Sequence, residues 1–322
     1  MSSTNLESPS RIRADWLASG LLYHRLNFFY QKRFGFKVWK LTLDAGCSCP
    51  NRDGTLATSG CTFCDPESFS ISRRRGWRSI AEQVDEGVGR LKRRYAAERF
   101  VAYFQPGTNT YGPIDQLRKA WQDGISRPDV IGLTIGTRPD CAGEDTFVLD
   151  HLAEMAKQTW VMVEYGLQTI HDRTLDRLNR GHHYDAFLDA YRRTRQRNLD
   201  VGVHVILGLP GESRDDMLAT ARELAKLEIH SIKLHNLYAV RNTALAEQVF
   251  AGQVRLPELS EYVEWVADFL EELPENVVID RLCGDAPPEY LMGPQWCLNK
   301  AAVRAAVEAE LRRRKTFQGC KT

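Results

Sequence analysis

Strand-like and helix-like segments alternate six times along this chain, and that alternation restricts its fold more than any other feature. Val38–Leu43 has β character, and residues 79–95 place Ile80, Val84, Val88 and Leu91 at helical spacing. Residues 100–104 form a short apolar run stopped by Pro106 and Gly107, ahead of a helical 114–121. A strand over 130–135 precedes a helix over 144–157, and one over 160–163 precedes 172–197, helical in two parts around Gly181. Residues 201–207 are nearly all apolar, as in a strand buried on both faces. Ser213 with Asp216 has the spacing of a capping box that opens the next helix. Residues 231–237 make a sixth strand, and Leu259, Val263, Val266, Leu270 and Leu273 mark a sixth helix. Six such repeats predict parallel strands joined by right-handed crossovers, in an α/β sheet that is open or bent into a partial barrel. In either case the ligand site belongs at the C-terminal ends of the strands.

The 322 residues suffice for one large domain with an extension. Residues 1–36 read as a lead-in, with an aromatic stretch at Phe28, Phe29 and Tyr30; 37–276 hold the repeats. Residues 277–322 read as an extension packed on them, with a strand-like Val277, Val278 and Ile279 and a charged helix over 300–315. A net charge of +1 favours neither nucleic acid nor membrane. No apolar run approaches the roughly 18 residues of a membrane span, and the polar residues 1–15 lack the apolar core of a secretory signal. A cytoplasmic location is the expectation. There, eight cysteines are ligands, catalysts or core residues before they are disulfides.

Four of the eight, Cys47, Cys49, Cys61 and Cys64, crowd behind the first strand. The pair Cys61–Cys64 has C-x-x-C spacing, and thiolates suit iron–sulfur clusters or zinc. Gly54 and Gly60 let the loop turn back, and Arg52 helps hold thiolates deprotonated. All four thiols on one zinc ion would instead make a closed structural site and a non-catalytic, zinc-stabilised binding protein. Further polar groups stand at the ends of later strands: Gln105 and Thr108, then Arg138 in Gly136-Thr137-Arg138-Pro139-Asp140-Cys141, then Glu164-Tyr165-Gly166-Leu167-Gln168 followed by Asn179-Arg180-Gly181-His182. His204 to Gly208 end the fifth strand, and Lys233 and His235 alternate to one face of the sixth.

Taken in order, these motifs resemble the radical S-adenosylmethionine (SAM) superfamily. The similarity runs over residues 28–318, and is nearest to small bacterial members of unassigned substrate. These are related to the elongator catalytic subunit and to oxygen-independent coproporphyrinogen oxidases. The wide Cys49-to-Cys61 spacing departs from the commoner C-x-x-x-C-x-x-C and matches this subgroup. The resemblance implies a partial (βα)6 TIM-like barrel, with Cys49, Cys61 and Cys64 holding three irons of an oxygen-sensitive [4Fe–4S] cluster. It implies reductive cleavage of SAM to a 5′-deoxyadenosyl radical that abstracts hydrogen from a small-molecule substrate. A one-electron donor such as flavodoxin or ferredoxin is implied as partner. Gln105 and Thr108 would face the SAM ammonium, Gln168 the ribose, Arg180 the carboxylate, and the strand ending at Gly208 the adenine, with Arg138, Glu164 and His204 alongside.

Each residue also has a plainer reading: a polar turn for Gln105 and Thr108, an ion pair with Asp140 for Arg138, packing for His204. Cys141 at the barrel mouth is a candidate hydrogen-atom donor or an inert buried thiol. Lys233 and His235 are candidates for substrate contact. The tail motif Asp280-Arg281-Leu282-Cys283-Gly284-Asp285-Ala286-Pro287 matches the subgroup but carries no role, and Cys283 and Cys297 are too loosely spaced for a second cluster. Basic runs at 73–75, 92–94, 192–197 and 312–315 read as solvated faces or as a phosphate-binding stripe for RNA. The elongator kinship therefore keeps a tRNA-modifying enzyme as the alternative.

Overall fold

The computed structural model describes residues 15–142 and 147–322. All but the last residue of the 1–15 stretch, and the expected helix start at Glu144, lie outside them. Seven strands form one sheet, each parallel to its neighbours. In order across the sheet they are β1 (Val38–Leu43), β2 (Arg99–Phe104), β3 (Val130–Thr137), β4 (Trp160–Gln168), β5 (Asp200–Leu207), β6 (Ser231–Asn236) and β7 (Val278–Arg281). The six-strand expectation is corrected by one. The strand-like run in the extension pairs Ile279 with Ile232 of β6 and completes the sheet.

Helix α1 (Leu26–Phe34) precedes β1. The crossovers carry α2 (Ile80–Tyr95), α3 (Ile114–Gly124), α4 (Phe147–Met155), α5 (Tyr184–Gln196), α6 (Arg214–Ala225) and α7 (Leu259–Glu271), and α8 (Lys300–Arg314) follows β7. Helix α2 starts where Ser79 and Glu82 satisfy each other's backbone N–H groups in a capping box, and it buries Val84, Val88 and Leu91. Ser213 and Asp216 do the same for α6.

The alternation within each strand divides core from cavity. Leu41, Leu43, Val161, Val163, Tyr165, Val203, Val205, Ile232 and Leu234 join the helices in the main hydrophobic core. Their neighbours Lys40, Thr42, Glu164, His204, Lys233 and His235 alternate with them and meet inside. Lys40 of β1 reaches Asp280 of β7, so the two edges of the curled sheet face each other across that interior. At the N-terminal end of the barrel, Tyr30 of α1, Val38, Val101, Trp160 and Met162 form a separate apolar plug. The aromatic lead-in is thus the barrel's lower stopper. Sequence reading also passed over a small antiparallel pair, Ala239–Val240 with Leu291–Gly293.

Candidate active site

A cavity of about 770 Å³ opens at the C-terminal ends of the strands. Cys49, Cys61 and Cys64 all line it. The loop that carries them is clamped from across the barrel. Thr62 N donates to Leu178 O (3.0 Å), Asn179 Nδ2 to Gly60 O (2.8 Å), and Asn51 Nδ2 to Asn179 O (2.5 Å). Asn179 takes positive φ (51°), which turns the chain so that Arg180 points inward. Arg180 then donates from Nη1 towards Cys61 Sγ (3.4 Å) and from Nη2 to Gly166 O (2.6 Å). Asn51 Nδ2 also lies 3.5 Å from Cys61 Sγ. Asn51 was missed in the sequence. An amide in a polar loop carries no signal there until the fold sets it under a thiol.

Burial and the neighbouring Cys61 push the Cys64 thiol up, with Arg52 pulling the other way. Arg52 donates to Cys64 O (3.0 Å). Cys47 points elsewhere: it packs against the main core and does not line the cavity. A closed structural zinc site takes four protein donors, and Cys47 does not line the cavity with the other three thiols. A cluster spreads its thiolates over separate irons, and three thiols on one cavity wall beside two guanidinium groups fit that donor set.

Gln105, Thr108, Arg138, Glu164, Gln168, Arg180 and His204 all line the same cavity. Arg138 is buried and holds Asp140 through Nε (3.0 Å) and Nη2 (2.8 Å), so the expected pair forms inside the protein, not on its surface. Its Nη1, and Nε of Arg180, are buried with no hydrogen-bond partner. Such orphaned donors are costly unless a ligand satisfies them. Gln168 has φ of 77° beside a register shift in β4, which turns its amide into the cavity.

Three candidates lie off the cavity wall. Gly208 faces away: a Cβ there would meet the Trp265 ring at 2.9 Å, and Ile206 lines the cavity in its place. Cys141 sits behind Arg138, and burial followed by Asp140 pushes its thiol up to about 12. Lys233 lies below the floor, where Nζ donates to Tyr103 Oη and Glu164 Oε1 at 2.7 Å each. His235 does line the cavity and stacks on His204 with ring centroids 5.3 Å apart.

Glu164 is the hub of this floor. The Tyr103 hydroxyl and His204 Nε2 (2.5 Å) also donate to it, and Lys40 Nζ lies 3.5 Å away. Burial opposes ionisation of Glu164, but Lys233 and Lys40 outweigh it and hold the carboxyl well below its usual range. Burial pulls Lys233 down to about 8 against Asp280 and Glu164, and lowers His204 to about 4.

About half of the residues in the basic runs are spent on local carboxylates. Arg73 pairs with Asp44, Lys92 with Asp129, Arg193 with Asp189, Arg195 with Glu228, Arg197 with Asp150, and Arg313 and Arg314 with Glu310. Among the described residues no helix is long and apolar enough to cross a membrane.

Residues 52–224 match the model of the radical SAM superfamily, and residues 229–313 match the radical SAM C-terminal domain. The chain is 37% identical to the uncharacterized Bacillus subtilis protein YtqA over 92% of both chains. It is 40% identical to Escherichia coli YhcC over 84% of this chain and 85% of that one. The solved Elp3 of Methanocaldococcus infernus superposes with a TM-score of 0.66 at 15% identity, covering 87% of this chain and 64% of that one. That likeness shows the fold. Members of the matched family bind a [4Fe–4S] cluster and SAM, and the three-thiol cavity at the mouth of a curled parallel sheet suits both. The chain belongs to the radical SAM superfamily and is an enzyme of SAM-cleaving radical chemistry.

Proposed function

We propose that this enzyme abstracts hydrogen from a small molecule held beside SAM in the 770 Å³ cavity. The observation that carries the reading is the convergence of Cys49, Cys61 and Cys64 on that cavity, with Arg180 directed at Cys61 Sγ. The three thiolates would hold the cluster, which, once loaded and reduced by an external one-electron donor, would supply the electron for cleaving SAM. Arg180, with its orphaned Nε, binds the SAM carboxylate, and the spare Nη1 of Arg138 supports it. Gln105 and Thr108 accept from the ammonium, and Gln168 serves the ribose hydroxyls as both donor and acceptor. Glu164 and His204, fixed by the network beneath them, shape the floor on which SAM rests. Cavity walls of Phe63, Phe69, Ile206 and Leu237 keep water from the radical.

The local pairing within the basic runs favours a small molecule over RNA. A folded tRNA titrated at rising salt checks this: binding that falls steeply with salt would restore the RNA reading. The test of the main reading is anaerobic reconstitution of the protein, followed by iron and sulfide content and dithionite-dependent formation of 5′-deoxyadenosine. The expected result is about four irons per chain and steady 5′-deoxyadenosine formation, both lost in Cys61→Ala. A colourless, inert protein after reconstitution would sink the proposal.

A further inference from the structure

Away from the cysteines, charge accounting around the cavity leaves two guanidinium groups without a carboxylate among the described residues, Arg74 and Arg281, and only Arg281 also lacks carbonyl acceptors. Six cationic side chains line the cavity: Arg52, Arg74, Arg138, Arg180, Arg281 and Lys300. Arg138 pairs with Asp140, and Lys300 with Asp285. Arg52 and Arg180 lie at the cysteine end, on Cys64 O and Cys61 Sγ. Arg74 is engaged by the carbonyls of Glu67 and Ser68 at 3.1 Å each. Beneath the floor, Lys40 and Lys233 are balanced by Glu164 and Asp280. Arg281 remains. Among the described residues it has no carboxylate partner; its Nη2 meets only the His235 ring, at 2.6 Å from Nε2 and 2.9 Å from Nδ1. Its Nε is buried with no hydrogen-bond partner.

The backbone is built to present this side chain. In a regular strand, Asp280 and Arg281 would point to opposite faces. The β6–β7 register shifts after Ile232, so that Ile279 opposes Ile232 while Arg281 opposes Lys233. Asp280 is the extra residue, and this bulge lets both side chains face inward: Asp280 to Lys40 below, Arg281 to the cavity above. Gly284 closes the arrangement. A Cβ there would meet His235 Nδ1 at 2.7 Å and Tyr238 Cε1 at 2.9 Å, so only glycine lets the chain pass so near the histidine beside Arg281. Asp285, Ala286 and Pro287 continue the cavity wall.

We propose that Arg281, backed by His235, is the anchor for an anionic group of the substrate, a carboxylate or a phosphate, at the end of the cavity formed by β6 and β7. This rests on the radical SAM reading of the same cavity and adds the chemical class of its second occupant. A fixed guanidinium fork suits either anion, and His235, which burial and then Arg281 hold well below the usual histidine pKa, stays neutral and leaves the guanidinium charge uncompensated.

The test uses the reconstituted full chain with SAM at saturation, so that the carboxylate site at Arg180 is filled. Inorganic phosphate and acetate are titrated separately at fixed ionic strength, against chloride, and the melting temperature is read by calorimetry. A saturable rise with phosphate alone identifies a phosphorylated substrate, and one with acetate alone a carboxylic acid; a response to both supports the site equally. Arg281→Gln weakens the response about tenfold or more, and Arg281→Lys retains part of it. Should Arg281→Gln fail to fold, phenylglyoxal labelling of the wild type, mapped by mass spectrometry, shows whether the same anion protects Arg281. No response beyond chloride, an undiminished response in Arg281→Gln, or unprotected labelling overturns the proposal. If the wild type forms no 5′-deoxyadenosine, the parent reading fails, while the anion titration still reports on Arg281.

Discussion

Glu164 takes hydrogen bonds from Tyr103, His204 and Lys233 on a single oxygen, with Lys40 beside the other. Removing its charge strands two buried ammonium groups on one remaining partner, Asp280. Glu164→Gln is therefore expected to cost about 3–5 kcal/mol, measured by urea unfolding, with partial recovery when Lys233→Met is added. Much of this site was legible one residue at a time. The spacing of Glu164, Gln168 and Arg180 named groups that the fold does bring to one cavity. Alternation placed Lys233 and His235 on the correct face but could not give depth along the strand, and so did not reveal that Lys233 lies under the floor. Arg281 was noted in the tail motif but given no role for a related reason: a period of two presumes a regular pleat, and the bulge at Asp280 breaks it.

At the level of elements, local chemistry was the surest guide. The Ser213 hydroxyl accepts from Asp216 N (3.2 Å) while the Asp216 carboxylate returns to Ser213 N (2.8 Å). Ser213→Ala should lower stability by about 1 kcal/mol, read as a shift in the urea midpoint with unchanged slope. Helix α1 was harder to foresee. Leu26, Phe29, Tyr30 and Phe34 do form one stripe, the last three on Trp160, but the helix is short and Phe28 on its other side masks the period. The seventh strand was seen as strand-like but left outside the sheet, because its partner β6 lies more than forty residues earlier and no local signal specifies pairing.

Across the whole molecule, lead-in and tail are tied together under the barrel. His24 N donates to the Gln318 side chain (2.9 Å), Gln318 Nε2 donates to Pro274 O (2.7 Å) and Val277 O (2.8 Å), and His24 Nδ1 donates to Asn276 O (3.2 Å). Burial lowers the His24 pKa from 6.5 to about 4. Between those values the unfolded chain binds a proton that the folded one refuses, so stability falls as pH drops from 6.5 towards 4. The penalty reaches about 3 kcal/mol near pH 4. His24→Gln keeps an amide donor for Asn276 O and should remove that share of the acid sensitivity, seen by comparing urea melts of both proteins at pH 7.5 and 4.

The seventh strand also has a consequence in time. The cysteine loop is made early and the wall that faces it is made late, since β7 and residues 285–287 follow Cys64 by more than two hundred positions. A ribosome needs roughly ten to forty seconds to cover that distance. For that interval three thiols stand at an unfinished opening, reachable by whatever delivers iron and sulfide, and the last strand narrows that opening while Cys49 and Cys64 stay partly exposed.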